Sequence, residues 1–582
     1  MLSAEWFHGV SKMSQSASYT KESAELLGDR GLSALAQVPA ENGAVAGAFQ
    51  AGIEALRDAI AGGDRRPGIL SAFVDALQRL SFLPPHWKVE ESLAIALDSP
   101  AVLPFAAVVP TLLILKSQPA FGEAFALAAR GDGMGLARLL DAGALQAEMA
   151  RPLMLALLKR TIVSGPEIEF ILTQMRRYFL GKAFQGFAPS AAEQALSLAL
   201  AHQCFLNEYV YFTAPDERAL LERLTGVSDF AVAVMASYAP LSSYPLKEGL
   251  PDSLVEQQIA EPAAERALAG EIARIGAISD ATSQRVRSLY EETPYPRWGT
   301  PYIAPTRETK DIYRLKYPGA DFTPLDRTEI PEILVAGCGT GFNLLMSVAG
   351  YRDYRLTAID LSLNSLSHAA RHVRDLGLPN IRLMQGDILE LGALDRSFDI
   401  VESIGVLHHM ADPMAGWRIL ADKLKPGGVM QIGLYSTLAR TAIHRLRDYA
   451  RARGFPPTRE GMIAFRREVF AILRRPSHPD HALVAETRLA ALHDFYSLSG
   501  CRDLLFHTQE ASYTIPELAG MIGELGLRFL GFSFPSPAFL NAYRARFPGD
   551  SAAADLGNWH VFERENPSLF VRMYNFSLQK PF

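Results

Sequence analysis

The chain has 582 residues, of which 49% are hydrophobic and 21% are charged. A chain of this length exceeds a single hydrophobic core and predicts about three or four compact units. The composition excludes a largely disordered protein. The net charge of -6 gives no electrostatic reason to expect a nucleic-acid partner.

Three cysteines lie far apart, at Cys204, Cys338 and Cys501. This spacing is neither a disulfide framework nor a set of metal ligands, so it predicts a reducing cytoplasm and no metal site. The N-terminus carries Glu5 and no apolar run of signal-peptide length, which predicts that no export signal is present. Residues 101–115 are too short to span a bilayer and contain two prolines, so they favour a buried helix pair and no membrane span.

From about residue 22 to residue 245, apolar residues recur at three- and four-residue spacing, which is typical of helices that bury one face. Breaks such as Gly62-Gly63-Asp64 separate short helices, and the pattern predicts a stack of antiparallel helix pairs. We therefore interpret residues 1–245 as an all-helical, solenoid-like domain, although no repeat of about 34 residues is present. A long helical region often supports a homodimer, but no heptad repeat indicates one.

Residues 246–300 are interpreted as a connector that ends in an aromatic, proline-containing segment, Tyr290–Trp298. Two prolines in this segment pre-set its backbone. Three of its side chains, Tyr295, Arg297 and Trp298, are candidates for a substrate pocket, because they are placed to close over a ligand or to form a wall beside it. A purely structural strap is the alternative.

From Glu332 onward, apolar strands alternate with helices, which predicts a parallel α/β sheet covered on both faces. A helical insertion is expected at about residues 437–512, and two strands beyond it would complete a seven-stranded sheet. The domain is predicted over residues 301–582. The expected strands are Ile333–Ala336, Arg355–Ile359, Ile381–Met384, Phe398–Ser403, Val429–Tyr435, Arg528–Phe532 and one within Leu569–Leu578.

The first strand of this sheet leads into the glycine-rich turn 337–341, with the sequence Gly-Cys-Gly-Thr-Gly. Glycines at alternate positions let the backbone turn sharply and approach a ligand closely. The N-terminus of the next helix presents free N–H groups to an anionic group. Alone, this turn is weak support, because a dinucleotide site uses a related pattern with the spacing G-x-G-x-x-G.

Acidic residues follow the next two strands. Asp360 is placed to accept both hydroxyls of an adenosine ribose, and Asp387 to accept an adenine amino group while Ile388 packs on the ring. A tight turn at residues 425–428 leads into the fifth strand. We expect all these features at the carboxyl ends of strands or in the turns around them, where open α/β sheets bind ligands.

Five segments, VAGCGTG, AIDLS, GDILEL, FDIVESIGVLHHM and LKPGG, resemble in order and spacing the motifs of class I S-adenosylmethionine-dependent methyltransferases. The resemblance covers about residues 332–435 and implies a Rossmann-like fold, S-adenosylmethionine as cofactor, and in-line methyl transfer to an oxygen or nitrogen nucleophile. One departure is Ala336, where the family often has an acidic residue. The cofactor-binding residues expected from the resemblance are Ala336, Gly337, Cys338, Gly339, Gly341, Asp360, Leu361, Asp387, Ile388 and Ser403.

In this family the end of the fourth strand lies beside the reactive methyl group. His408 and His409 are therefore candidate general bases, since imidazole titrates near neutrality, and Glu402 is a third catalytic candidate. The alternative is that the two histidines only pack the loop. The Asn/Asp-Pro-Pro-Tyr sequence typical of enzymes that methylate bases or amides is absent, so those acceptors are not expected.

Three further residues complete the predicted substrate pocket: Tyr435, Arg502 and His507. The last two lie in a polar and aromatic stretch of the insertion, which suits a lid, although a buried salt-bridge network is the alternative. A similar stretch and the Tyr-Pro-Arg-Trp element resemble bacterial methyltransferases with helical N-terminal regions. A second polar cluster, residues 203–209, is interpreted as an interhelical hydrogen-bond network, with a peptide groove as the alternative.

Three hypotheses remain for function. A protein or peptide acceptor docked on the helical domain would explain the long scaffold, because stacked helices form extended binding surfaces. A small-molecule acceptor would explain the SIGVLHHM segment, which resembles enzymes acting on small molecules and lipids. A catalytically inactive cofactor-binding protein is the third, and only Ala336 points towards it.

Overall fold

The structure is a computed structural model that describes residues 43–225, 228–245, 250–299, 309–348, 351–534 and 537–582. The export-signal prediction therefore lies outside the described residues. Contacts divide the chain into two compact units. We call the first the helical unit; it comprises Met1–Pro262, Arg297–Pro305 and Ala450–Arg502. The second, the sheet unit, comprises Ala263–Pro296, Thr306–Tyr449 and Asp503–Phe582.

The helical unit consists of short α-helices whose starts follow local sequence signals. Five of them begin at a proline. Proline suits the first helical position because the N–H of that residue has no partner within the helix, and proline has no N–H. Ser190 and Glu193 form a reciprocal capping box at another helix start. The helices before residue 262 are Gly43–Ala61, Pro67–Leu77, Glu90–Leu97, Val108–Lys116, Pro119–Arg130, Gly133–Asp141, Ala144–Met149, Pro152–Arg160, Pro166–Phe184, Ala191–Leu206, Pro215–Leu221, Asp229–Ala236 and Asp252–Val255.

The predicted membrane-like stretch forms the short 3₁₀ helix Pro104–Ala107 and the helix Val108–Lys116, most of whose apolar side chains are buried. In the described part of the chain, no single helix is long and apolar enough to cross a membrane. The pair Pro104–Lys116 and Pro119–Arg130 passes that test of length and composition only jointly, and it is bent by 108°.

A buried ion pair ties the later segment Ala450–Arg502 to the earlier helices of the same unit. Arg466 donates to both carboxylate oxygens of Glu169, at 3.0 and 2.6 Å, and its Nε donates to the carbonyl of Phe495 at 2.7 Å. Both charged side chains are almost fully buried. The segment also contributes the helices Arg459–Leu473 and His481–Glu486. The contacts thus place much of the predicted insertion with the helical unit.

The described residues of the sheet unit form eight strands: β1 Ala273–Ile275, β2 Glu332–Ala336, β3 Arg355–Asp360, β4 Ile381–Gly386, β5 Phe398–Ile404, β6 Leu424–Leu434, β7 Arg528–Phe532 and β8 Tyr574–Gln579. Their order in the sheet is β1-β4-β3-β2-β5-β6-β8-β7. Strands β1 to β6 run parallel, and β8 is antiparallel to both β6 and β7. The order reverses direction between β2 and β5, the position at which such sheets bind ligands.

Helices of the sheet unit bury its central strands, and the side chains of Trp417, Leu420 and Phe576 contribute to one continuous apolar core. The helices are Ala281–Glu292, Thr309–Lys316, Thr323–Arg327, Phe342–Val348, Leu363–Asp375, Pro413–Lys423, Ile515–Glu524, Pro537–Arg546 and Leu556–Glu565. Three others, Glu261–Ala269, Thr437–Ala452 and Leu498–Phe506, contain positions where the chain passes between units.

The α/β fold class is confirmed, but the strand count is not seven. The eighth strand is β1, which lies inside the predicted connector and pairs with β4. Three residues are too few for a periodic pattern to reveal. The predicted domain boundaries at residues 245 and 300 stay a prediction, and the contact-based units divide the chain at other positions.

The turn at residues 425–428 lies at the opposite edge from the one expected. It forms an irregularity within β6, where Leu424 pairs with Phe398 at the amino end of β5. Lys425 forms an ion pair with Asp399 at 2.8 Å, and the Gly427 N–H donates to the carbonyl of Lys580. The turn therefore lies at the amino end of β5 and connects β6 to the residue that follows β8. It does not contribute to the edge formed by the carboxyl ends of the parallel strands.

Replacing Arg466 by Met should destabilise the protein by about 3–5 kcal/mol, because it leaves the Glu169 carboxylate buried without a partner. The double replacement of Arg466 and Glu169 by Met should recover most of that loss. Arg177→Met is the control, since its pair with Asp216 is exposed and should contribute less than about 1 kcal/mol. Denaturant unfolding followed by circular dichroism measures all three, and equal losses for Arg466 and Arg177 would contradict the assignment.

Candidate functional site

The glycine-rich turn after β2 closes back onto β3. The N–H groups of Gly337 and Cys338 donate to the carbonyl of Ile359 at 2.8 and 3.0 Å. Gly337, Gly339 and Gly341 have φ values of +81°, +53° and +86°, which favour glycine. A Cβ on Gly337 would stand 2.3 Å from the side chain of Val406, so close packing as well as backbone conformation requires glycine there.

Asp360, at the end of β3, receives two hydrogen bonds from the backbone. The Gly339 N–H donates to Oδ2 at 2.8 Å, and the Ser362 N–H donates to Oδ1 at 2.9 Å. Burial raises the pKa of Asp360 to about 6, although both N–H groups favour the ionised form. Beside it, the carbonyl of Leu361 accepts from Gln385 at 3.0 Å. The carboxyl group thus links the glycine turn to the start of the next helix.

The ends of β4 and β5 add further polar groups to the same edge. Asp387 is buried and accepts from the Leu389 N–H at 3.0 Å, which caps the 3₁₀ helix Ile388–Ala393. The Ser403 side chain is also buried, and its hydroxyl has no hydrogen-bond partner among the described residues. The predicted cofactor residues therefore occupy the ends of four adjacent strands, together with the turns that follow β2 to β4.

Residues 290–296, which we call the strap, cross the first turn of the helix after β3. Glu291 accepts from the N–H groups of Leu363 and Asn364 at 2.8 and 3.0 Å. These donors are unpaired at a helix N-terminus, and a carboxylate satisfies them well. The Ser362 hydroxyl donates to the carbonyl of Tyr290 at 3.2 Å.

The end of the strap lies on the glycine turn itself. The Thr340 hydroxyl donates to the carbonyl of Pro296 at 2.6 Å. A Cβ on Gly339 would stand 3.0 Å from the carbonyl oxygen of Tyr295. Of the predicted pocket residues, Tyr295 is thus adjacent to the glycine turn, while its role towards a substrate stays a prediction.

A column of contacting rings, which we call the ring column, begins beside β5 and β6. The guanidinium of Arg440 lies 3.7 Å from the ring centroid of Tyr435, and that ring lies 4.1 Å from His408. His408 in turn lies 4.3 Å from His409, and His409 stacks on His507 at 3.8 Å and 26°. The structure therefore brings together four of the predicted residues, His408, His409, Tyr435 and His507.

All three histidines of this column are buried and neutral near pH 7. Burial lowers the pKa of His408 well below its usual range and lowers the pKa values of His409 and His507 to about 4. Both ring nitrogens of His408 are buried without a hydrogen-bond partner in the described structure. His409 Nδ1 lies 2.7 Å from the carbonyl oxygen of Gln509.

Two acidic residues flank the column, and neither is among the predicted site residues. Asp503 accepts from the Tyr290 hydroxyl at 2.7 Å. Glu510 pairs with Arg440 and Arg447 at 2.8 and 2.9 Å. Burial alone would raise the pKa of Glu510, but the basic side chains around it lower that pKa below its usual range. Asp503 lies in the polar and aromatic stretch that the sequence marks as a candidate lid, whereas no sequence pattern marks Glu510.

Glu402 does not join the histidines. Its carboxylate is buried and accepts from the Tyr351 hydroxyl at 3.1 Å, and Tyr313 and Ser347 also contribute hydrogen bonds. Burial raises the pKa of Glu402. Tyr313 and Ser347 lie on helices of the sheet unit, so these contacts bind Glu402 to the packing around the sheet, and its catalytic role stays a prediction.

Three predicted pocket residues, Arg297, Trp298 and Arg502, belong to the helical unit. Arg297 lies over the ring of Phe205 at 4.1 Å, and Arg502 donates to the carbonyl of Pro457 at 3.2 Å. These contacts are all within that unit. The pocket role of the three side chains stays a prediction.

The sequence predicts no metal site, yet three possible ligands meet here: His409, Asp503 and His507 each offer one atom within 4.8 Å of the others. The Nδ1 atoms of both histidines already take part in hydrogen bonds with the backbone of Gln509. The cluster therefore suits hydrogen bonding better than coordination.

Comparisons with known proteins identify the same part of the chain as a methyltransferase domain. Residues 333–428 match the family model described as a methyltransferase domain. An uncharacterized protein from Synechococcus is 31% identical over 272 residues, which is 44% of this chain and 61% of that protein. The ubiquinone biosynthesis O-methyltransferase of Caulobacter vibrioides is 32% identical over 25% of this chain and 56% of its own length.

Among solved structures, PKMT2 from Rickettsia typhi is similar with a TM-score of 0.35 and 16% identity, over 44% of this chain and 49% of that one. The chain thus spans less than two thirds of the relatives it matches. The family model itself matches the part of the sheet unit from β2 to the start of β6. Residues 333–428 are a methyltransferase domain of the class I type, whose cofactor is S-adenosylmethionine.

Proposed function

We propose that the whole protein is an S-adenosylmethionine-dependent methyltransferase that transfers a methyl group in line to an oxygen or nitrogen nucleophile. One observation carries the proposal: within a methyltransferase domain, Asp360 holds the glycine turn through the Gly339 N–H at 2.8 Å, at the point where the strand order reverses. Buried imidazoles and tyrosines adjoin the end of β5, where an acceptor would meet the cofactor.

The residues at this edge fit the cofactor. An ionised carboxylate offers about four acceptor positions, and Asp360 uses one on each oxygen, which leaves capacity for two ribose hydroxyls. Asp387 accepts from the Leu389 N–H on one oxygen, and its other oxygen is placed to accept from an adenine amino group. The buried Ser403 hydroxyl, which has no hydrogen-bond partner among the described residues, can bind a further polar group of the cofactor. We propose that the cofactor is held by Ala336, Gly337, Cys338, Gly339, Gly341, Asp360, Leu361, Asp387, Ile388 and Ser403.

When bound, S-adenosylmethionine supplies a methyl group on a sulfonium sulfur, and the sulfur keeps the electron pair of the broken bond. The protein's part is to orient the partners and to exclude water. We assign the strap to closing the cofactor edge and the ring column around His408 and His409 to lining the acceptor side. The neutral imidazoles leave this wall able to accept a proton.

For the acceptor we keep two classes. A protein or peptide docked on the helical unit is supported by the size of that unit, which has no part in the sheet. A small molecule is supported by the relative that acts in ubiquinone biosynthesis. The inactive cofactor-binding protein stays a third hypothesis, and it rests only on Ala336.

We also propose that the protein works in the cytoplasm, because its three cysteines are buried as free thiols. The homodimer and the absence of a nucleic-acid partner stay predictions from composition and length.

Replacing Asp360 by Asn should weaken S-adenosylmethionine binding by about 1–3 kcal/mol, the cost of leaving buried polar groups unmet. Because the pKa of Asp360 is about 6, wild-type affinity should also fall as pH is lowered through 6, since the protonated carboxyl accepts fewer hydrogen bonds. The variant should be insensitive to that change. Calorimetry at pH 7.5 and 5.0 measures both, with the exposed Asp395→Asn as control, and identical wild-type and variant affinities would refute the ribose assignment.

Gly339→Val should abolish cofactor binding, because its Cβ would stand 3.0 Å from the carbonyl of Tyr295 and its side chain would fill the cradle. Gly377→Val is a matched control: its φ of +62° imposes the same backbone cost of about 1–2 kcal/mol, but open space surrounds it. Calorimetry should find normal binding in the control alone. Equal binding by both variants would mean that the turn does not contact the cofactor.

Incubating the full chain with methyl-labelled S-adenosylmethionine and a cell extract should transfer label to an acceptor. Label in the macromolecular fraction supports the protein or peptide acceptor, and label in the small-molecule fraction supports the other class. The Gly339→Val variant is the control for background transfer. Absence of any label above that control would support the inactive cofactor-binding protein.

A further inference from the structure

The two stacked imidazoles of the ring column have opposite hydrogen-bonding roles. His409 Nδ1 lies 2.7 Å from the carbonyl oxygen of Gln509. A carbonyl oxygen only accepts, so Nδ1 carries the proton of the neutral ring. His409 Nε2 is therefore left with a lone pair that can accept a hydrogen bond or a proton.

His507 has the reverse arrangement. The backbone N–H of Gln509 donates to its Nδ1 at 3.1 Å, so the proton of the neutral ring sits on Nε2. That Nε2 is buried and has no partner in the described structure, and the whole residue is only 6% exposed. A buried donor without an acceptor costs about 1–3 kcal/mol, so we expect a bound group to accept from it.

Both roles persist at neutral pH. Burial lowers the pKa values of His409 and His507 to about 4, and this outweighs the charges that face them. Those charges are the carboxylates of Asp503 and Glu510, which favour the protonated rings, and the guanidiniums of Arg440 and Arg447, which disfavour them. The stacked pair thus offers one acceptor nitrogen and one donor nitrogen at neutral pH.

A hydroxyl group matches this pair because it donates one hydrogen bond and accepts another. An ammonium group only donates, and a carboxylate only accepts. A neutral amine has a single lone pair, which cannot both accept from His507 and attack the methyl carbon, whereas a hydroxyl oxygen has two. The two rings are 3.8 Å apart, and one nitrogen of each lies within 4.8 Å of the other, which a single oxygen at about 2.8 Å from both can bridge.

We propose that His409 and His507 form a hydroxyl-recognition site and that the acceptor of the methyl group is a hydroxyl oxygen. This rests on the proposed methyltransferase function and narrows its acceptor from oxygen or nitrogen to oxygen. His507 donates to a lone pair of the hydroxyl and fixes its orientation, while the hydroxyl donates to His409 Nε2.

The transfer step balances with these groups alone. The hydroxyl oxygen forms a bond to the methyl carbon as the carbon–sulfur bond breaks, and the sulfur retains that electron pair. The hydroxyl proton moves to His409 Nε2, so the positive charge passes from sulfonium to imidazolium. The Gln509 carbonyl and the Asp503 carboxylate stabilise that imidazolium until the proton leaves to solvent.

The same tautomers argue against a metal ion at this cluster. A ring nitrogen that carries a proton cannot coordinate, and His507 Nε2 carries one as long as the Gln509 N–H donates to Nδ1. A metal site would require His507 to reverse its tautomer and to break that hydrogen bond.

The first test uses the cofactor-free full chain labelled with ¹⁵N-histidine. Nuclear magnetic resonance at pH 7 should find His409 protonated on Nδ1 and His507 protonated on Nε2, with assignments from His409→Phe and His507→Phe. Elemental analysis after dialysis against Zn²⁺ should find no equivalent that His409→Phe removes. The reverse tautomer of His507, or a zinc ion lost in that variant, would overturn the proposal.

The second test asks which atom is methylated. Product from labelled cofactor and cell extract is heated with hydriodic acid, which releases O-methyl groups as volatile methyl iodide and leaves N-methyl groups behind. Volatile label is expected, and label retained as methylamine would overturn the hydroxyl acceptor. If no label transfers at all, the proposed function fails instead, and the tautomer measurement still decides the hydroxyl site.

Transfer by the His409→Phe and His507→Phe variants tests whether the two rings act on the acceptor. His409→Phe keeps the ring stack but removes the proton acceptor, so it should lower transfer about 10²–10⁴-fold with unchanged cofactor affinity. His507→Phe should raise KM for the acceptor more than it lowers kcat. The half-exposed His478→Phe is the control and should behave as wild type. Normal transfer by His409→Phe, with cofactor binding intact, would contradict its role as base.

Discussion

The hydrogen bonds of the Asp360 carboxylate organise the cofactor edge of the sheet. One oxygen holds the Gly339 N–H and the other holds the Ser362 N–H, so one side chain sets both the glycine turn and the start of the following helix. The strap then binds these same two elements, through Thr340 and through the N–H groups of Leu363 and Asn364. Burial keeps the pKa of this carboxyl near the physiological range, and ligand hydroxyls would favour its ionised form.

Much of this edge was predictable because its signals are local. A glycine turn between an apolar strand and a helix, followed by acidic residues at the ends of the next strands, has few alternative folds. The turn at 425–428 was misplaced because a motif gives no information about which sheet edge it occupies. For Glu402 the sequence does not decide the face of the sheet, because alternate strand residues point to opposite sides. The structure places its carboxylate beside the Tyr351 hydroxyl, and its catalytic role stays a prediction.

The ring column was less predictable, because its groups come from distant parts of the chain. His409 meets Gln509 across 100 residues, and Tyr290 meets Asp503 across 213. No periodic pattern encodes such contacts. Their chemical consequence is a set of imidazoles that burial keeps neutral, with tautomers set by a single residue, Gln509. Beyond the sheet, the ion pair of Arg466 with Glu169 has the same long-range character and accounts for the placement of Ala450–Arg502 with the helical unit.

The central claim is that the edge built around Asp360 binds S-adenosylmethionine and not a dinucleotide, whose site uses a similar glycine turn. Parallel calorimetric titrations of the full chain with S-adenosylmethionine and with NAD test it most directly. One equivalent of S-adenosylmethionine should bind, and NAD should give no heat beyond dilution. Saturable binding of NAD with none of S-adenosylmethionine would contradict the account.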